Sequence, residues 1–401
     1  MKLRAIVFGV FVIIIGYRIF GETYYVAENG NDANPGTKDK PFRTINKASE
    51  KVKAGDTVLV SAGIYPGNIT INSSGEENKP IVFKKYDNGE VQILGKVEKK
   101  TGFVLSPCCK YTYEVEEKDD GQVAINLDTT KLVIEYLERV NSIDKVEASN
   151  YRFYYDKNTN KLYIRYLADN PEKGNTIHVV KDAYGMRIVS GQHILIDGFT
   201  FSGFFRNGIE IEGSKNITIQ NCKISLAGFG WGAGIRLGNT DSINIKNCMI
   251  YRVMNGIMLE EAIRSVISHV TIYKTRAHGI IMYKSPYTTV KNNIIFAGGP
   301  SGNALYIVDN LSTNGLQLDY NCYLSFYAPF LIVWEPVNGK FPTFWDYRAK
   351  IKDQDVHSIS DDPMFISTEQ YSENFNLTPE SPCVGKAEDG SNMGVIFSNV
   401  K

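Results

Sequence analysis

From residue 185 onward a short motif, a small residue followed by alternating aliphatic side chains, returns with a period in the twenties. Few architectures carry such a period, and solenoids lead them. The copies are Gly208-Ile-Glu-Ile-Glu-Gly213, Gly234-Ile-Arg-Leu-Gly-Asn239, Gly256-Ile-Met-Leu-Glu-Glu261, Gly279-Ile-Ile-Met-Tyr-Lys284, Ala304-Leu-Tyr-Ile-Val-Asp309 and Phe330-Leu-Ile-Val-Trp-Glu335, with an earlier one at Gly185. Second and fourth residues are nearly always aliphatic while third and fifth vary, as a half-buried strand requires. A second strand follows in each repeat, as in Ile217-Thr-Ile-Gln-Asn-Cys-Lys-Ile224 and Ile243-Asn-Ile-Lys-Asn-Cys-Met-Ile250. Asn221, Asn247 and Asn292 fall at one repeat position, where their amides can bond along a stack. Short strands, Gly or Asn corners and no helical period define an all-β chain, a parallel β-helix rather than a sandwich or propeller.

The charges balance, with 44 Lys plus Arg against 44 Asp plus Glu. No net field attracts nucleic acid or an anionic membrane, so neither is an expected partner. Lys2 and Arg4 precede an apolar stretch from Ala5 to Ile15 and the small Gly21, the pattern of an export signal over 1–21. An uncleaved anchor is the weaker alternative, because the stretch falls short of the roughly 18 residues of a spanning helix. Either way the chain is expected to be secreted or extracytoplasmic, in the periplasm or at the cell surface. Six cysteines include no CxxC pair, which argues against a zinc–thiolate site. Cys222, Cys248 and Cys322 each follow an Asn and are read as small core residues at matching repeat positions.

The opening, Tyr24-Tyr-Val-Ala-Glu-Asn-Gly-Asn-Asp-Ala-Asn-Pro-Gly-Thr37 followed by Pro41-Phe-Arg-Thr-Ile45 and Gly55-Asp-Thr-Val58, resembles the entrance of secreted β-helix lyases and glycosidases. Asp362-Pro-Met-Phe365 and Phe375-Asn-Leu-Thr-Pro-Glu-Ser-Pro382 are similar to their closing coils. The resemblance is to the pectate-lyase-like superfamily and implies a right-handed helix acting on a polysaccharide or oligosaccharide. Ile45, Ala48 and Val52 form the apolar face of a short helix, ended by Gly55, that can plug the solenoid. Within 22–98 the cap and first coils are expected, with the main solenoid over 183–360 and a closing segment over 361–401. Between them, 99–182 changes to aromatic alternation around the polar turn Asp156 to Lys161, a hairpin in an antiparallel β-rich insert. A stabilising flap with no role in binding is as good a reading of this insert as substrate contact.

Coils stack about 4.8 Å apart, so equal positions of successive copies become columns on the outer face. The third-position column runs Arg187, Glu210, Arg236, Met258, Ile281, Tyr306, Ile332; the fifth runs Val189, Glu212, Gly238, Glu260, Tyr283, Val308, Trp334. The sixth holds Glu261, Lys284, Asp309 and Glu335, and Trp231, Arg276 and His278 border the same stretch. Aromatic faces stack on sugars, carboxylates act as acid and base, and cations pair with uronates. For any single residue a solvated, ion-paired face explains it better; the cluster carries the argument.

Hydrolysis is the preferred chemistry. Glu212 and Glu260 lie two coils apart, roughly 9.6 Å between backbones, and can converge to the inverting range of about 6.5 to 9.5 Å, with Gly238 leaving a notch and Arg236 orienting substrate. Arg236, Glu210, Trp231, Arg276, Asp309 and Trp334 are the expected substrate contacts. The alternative is β-elimination on a uronate polymer, with Lys284, Tyr283 or His278 as base. Anions around Lys284 favour its protonated form and oppose that role. A third reading is a non-catalytic glycan-binding protein. No cofactor is required, although Glu260, Glu261 and Asp309 could form a weak calcium site. The expected chain is a monomer.

Overall fold

A computed structural model describes residues 21–118, 120–128, 133–228, 232–299, 302–325, 327–369 and 373–396; the first twenty residues of the expected export signal 1–21 and Trp231 lie outside them. Among the described residues three long sheets of nine, nine and eight strands wind the chain into a solenoid. Strands of each sheet come from successive coils and pair in parallel, except that Gly339–Phe341 closes the second sheet antiparallel to Ile332–Trp334. The second sheet, called the site sheet below, runs through Tyr184–Val189, Asn207–Glu212, Ala233–Gly238, Asn255–Glu260, Ile280–Tyr283, Leu305–Ile307 and Ile332–Trp334.

The repeat's alternation builds the core directly. Ile209 and Ile211, Ile235 and Leu237, Ile257 and Leu259, Ile280 and Met282 are all fully buried, forming vertical rows inside one continuous apolar column. Each such side chain contributes about 1.5–3 kcal/mol of burial. The small residue that opens each copy is sterically required: a Cβ at Gly234 would meet Ile250 Cγ2 at 2.5 Å and the Gly256 oxygen at 3.0 Å. At the far end of each strand one residue turns left-handed, namely Ser190, Gly213, Asn239, Glu261 and Lys284.

The asparagine column is present but interrupted. Asn247 Nδ2 donates to Asn221 Oδ1 at 2.7 Å. His269 then occupies the same left-handed corner, and Asn292 Nδ2 faces His269 Nε2 at 3.4 Å. Cys222 and Cys248 stack in the next column, but Cys322 does not join them. It pairs with Ile294, one position further on, while Asn321 takes the cysteine's place and accepts from Asn293 Nδ2 at 3.0 Å.

Both ends are capped. The entrance helix spans Ile45–Ser49, with Thr44 accepting from the Lys47 amide and Ile45 and Ala48 buried. It ends at Glu50 rather than at Gly55; Gly55 serves a later turn, at φ +91°. At the exit, helix Phe344–Lys350 starts on a capping box of Thr343 and Asp346 and buries Phe344 and Tyr347. The last repeat copy slips by one residue relative to the sequence alignment: Ile307 pairs with Trp334, not with Val333. A one-residue slip reverses every side chain, so Trp334 points inward, 5% exposed, stacked on Tyr347. Glu335 correspondingly leaves the Asp309 column.

The insert is a separate sandwich. Strands Val97–Lys100, Gln122–Asp128, Val133–Tyr136 and Ile177–Val180 form one antiparallel sheet, and the expected hairpin, Arg152–Asp156 with Lys161–Arg165, anchors the other. Its own core includes Phe153, Leu162, Ile164 and Val179. Because the chain leaves the solenoid after Val91–Leu94 and returns to it at Tyr184, the insert joins the solenoid at the first strands of the site sheet.

Candidate active site

The columns read from the repeat are real neighbours. Arg187 pairs with Glu210 and Glu210 with Arg236, while Glu212, Gly238 and Glu260 follow one another across two coils. Opposite charges therefore alternate along the stack, and the side chains form one network. Glu210 is 5% exposed; its Oε1 accepts from Arg187 Nε and its Oε2 from Asn207 Nδ2, both at 2.7 Å. Arg236 Nη1 donates to Glu212 Oε2 at 2.7 Å, and the Nε edge donates to Glu260 Oε2 at 2.6 Å. Burial opposes the Arg236 charge, but hydrogen bonds and charges from Glu212 and Glu260 outweigh it and raise its pKa further. Arg236 is a fixed cation between two carboxylates.

Gly238 is not an open notch. A Cβ there would sit 2.3 Å from Glu212 Oε2 and 2.8 Å from Arg236 Nη1, so the glycine makes room for the bridge itself. Above the network lies a groove of about 600 Å³ that also touches Gln122, Arg139, Tyr184, Phe205, Arg206 and Met258. Gln122 and Arg139 come from the insert, which is thus one wall of the groove rather than a remote flap. Sequence reasoning missed this wall, since nothing local links residue 139 to residue 206. Asn207 was detectable: it precedes a repeat glycine, as Asn255 does, and both bond to the neighbouring coil.

Other expected residues separate from this groove. Tyr283 continues the Glu260 column and is exposed, but Lys284 turns away at the left-handed corner, where its ammonium meets Glu261 at 3.3 Å. A hydrogen bond to Tyr283, then one to Glu261, raises the Lys284 pKa, which opposes a basic role. Asp309 is occupied as a structural cap, accepting from the Lys284 amide at 2.6 Å and the Ser312 amide at 3.0 Å. His278 lies against Tyr306, with ring centroids 4.8 Å apart, and burial lowers its pKa to about 4. Its Nδ1 already accepts from the Asn303 amide at 3.3 Å, leaving Nε2 as the protonated nitrogen. A donor of that kind is not a base. Arg276 faces a different pocket, and Trp334 is buried. Among the described residues no group of three His, Cys, Asp or Glu is placed to hold a metal ion.

The three parallel sheets and the charged stripe on one of them define the class, and family models agree with it. One, described as the Pel9A-like right-handed β-helix region, matches residues 24–150; a second, the right-handed β-helix region, matches 167–322. Both models describe a right-handed β-helix, the fold that the three parallel sheets build. It is 25% identical to the uncharacterized protein YwoF of Bacillus subtilis strain 168, over 90% of this chain and 92% of that one. Among solved structures it is similar to the pectate lyase Pel9A at 12% identity and TM-score 0.43, covering 95% of this chain and 97% of that one. A glycoside hydrolase at 12% identity has TM-score 0.44 and covers 78% of this chain and 96% of that one.

Proposed function

We propose that this protein is an extracytoplasmic carbohydrate-active enzyme that hydrolyses glycosidic bonds of a polysaccharide in the groove over Arg187, Glu212, Arg236 and Glu260. The observation that carries this reading is that Glu212 and Glu260 open onto one groove from the two sides of a single guanidinium. Each spends Oε2 on Arg236; among the described residues, Oε1 of each makes no hydrogen bond and is the oxygen that can carry or take a proton. In an inverting hydrolysis one carboxylic acid protonates the leaving oxygen while the other carboxylate deprotonates a water attacking the opposite face of the sugar. Arg236 fixes the spacing of the pair, and Glu210, locked by Arg187 and Asn207, fixes the floor. Burial does not rank the two carboxylates, their side chains being 34% and 39% exposed.

Four arginines, Arg139, Arg187, Arg206 and Arg236, border the groove and favour a second reading, β-elimination on an acidic glycan. Of its candidate bases, Lys284 is paired with Glu261, His278 offers a donor at Nε2, and Tyr283, exposed one coil beyond Glu260, does not line the groove. Product chemistry separates the two. Incubation with neutral and uronate polysaccharides yields new reducing ends without ultraviolet absorbance under hydrolysis, an unsaturated uronate under elimination, and neither for a glycan-binding protein.

A further inference from the structure

We propose that the pocket floored by Tyr273 and Phe296 is a second, non-catalytic site that binds an acidic oligosaccharide. The pocket, of about 490 Å³, opens where the third sheet turns toward the site sheet, and it shares no lining residue with the groove. Its floor is apolar, with Tyr273 and Phe296 each 4% exposed and packed edge to face at 4.9 Å. The Tyr327 ring stands at its rim, 71% exposed. A large exposed aromatic beside a concavity is a sugar-stacking platform in chemical terms, with an apolar face and a polar tip.

Charge decides which sugars. In the groove Arg187 and Arg236, the two arginines of the site sheet, are matched by glutamates. In the pocket, Lys274 and Arg276 are both exposed, and neither makes an ion pair among the described residues. The Lys274 ammonium lies over the Tyr273 ring, 5.2 Å from its centroid, and two cations without a carboxylate partner beside an aromatic rim attract a carboxylate-bearing ring over a neutral one. Gly299 keeps the wall thin: a Cβ there would fall 1.7 Å from the Arg276 oxygen, so the turn packs against that strand end without a side chain filling the space. The Arg276 amide is held by the Val253 oxygen at 2.9 Å, which anchors the backbone under its guanidinium.

The site does not require the groove to cleave anything, so the two readings fail separately. The test is calorimetric titration of the full chain carrying Glu260→Gln with trigalacturonate, a mannuronate trimer, maltotriose and inorganic phosphate. An acidic trimer should bind, and binding should weaken about tenfold or more in K274Q/R276Q and in Y327A, one decade being one lost charge-assisted contact. Maltotriose should show no heat that depends on these residues, and rising salt should weaken the acidic trimer. Three results overturn the proposal: no binding of either acidic trimer, binding unchanged in both variants, or phosphate binding as tightly as the trimers, which marks a plain anion site. Unchanged melting temperatures of the variants exclude a folding artefact.

Discussion

Arg236 joins Glu212 to Glu260 across two coils, donating to each from a different edge of one guanidinium. Two carboxylates at this spacing repel, and the planar cation between them sets both their distance and their orientation. Lysine offers one point charge and cannot hold both at once. Arg236→Lys should therefore lower kcat by about 100-fold through lost positioning while leaving the melting temperature nearly unchanged. Initial rates and thermal melts of the same preparations check it; retention of full activity contradicts the bridge's role.

Gly238 tests the same geometry from the backbone side. Gly238→Ala forces a methyl into Glu212 Oε2 and Arg236 Nη1, both far ends of side chains that can swing away. The strand should survive and the bridge should not. Activity is expected to fall by an order of magnitude or more, with intact circular dichroism.

Trp334 belongs to the cap, not to the substrate. Trp334→Ala removes a buried ring stacked on Tyr347 and should cost about 3–5 kcal/mol of stability. Denaturant unfolding measures this. A fall in substrate affinity without a fall in stability would return Trp334 to the outer face.

His278 gives a pH signature to stability. Its unfolded imidazole takes up a proton near pH 6.5 and the folded one only near 4, so the unfolded state binds more protons between these values. Stability is full above pH 6.5 and declines as pH falls toward 4, by at most about 3 kcal/mol from this residue. His278→Asn should flatten that limb of the pH–stability curve.

The insert wall predicts a binding effect. Arg139 reaches the groove from the sandwich, where its guanidinium lies over the Phe153 ring and forms an ion pair with exposed Asp120 at 2.7 Å. Arg139→Ala should raise KM several-fold and leave kcat within about twofold, since the bridge that holds the Glu212–Glu260 pair is made by Arg236 and not by Arg139.

Much of this was legible because a parallel coil keeps its columns as long as its copies keep their length. From Arg187 to Tyr283 the aliphatic rows hold the register, so residues read as neighbours are neighbours. The reading broke at Trp334, where a longer connection admitted one extra residue and period-two alternation turned that error into a complete reversal of faces. Cys322 failed for the same reason: Asn321 stands where the cysteine of earlier coils stood. The ion bridge was half visible, as alternating Arg and Glu down one column, but that Arg236 fills the space over Gly238 follows only from side-chain placement. The groove wall was illegible, because Gln122 and Arg139 meet Arg206 through the docking of a whole sandwich. Position in the fold, not residue type, removed Lys284 and Asp309 from the site.

Glu212 and Glu260 are proposed to act together as acid and base in hydrolysis. The most direct measurement is turnover and product analysis of Glu212→Gln and Glu260→Gln on the polysaccharide that the native chain cleaves. Each substitution should reduce kcat by about 1,000-fold with an unchanged melting temperature, and the native products should be reducing ends without an unsaturated uronate. Near-native turnover in either variant, or an unsaturated product from the native enzyme, would contradict it.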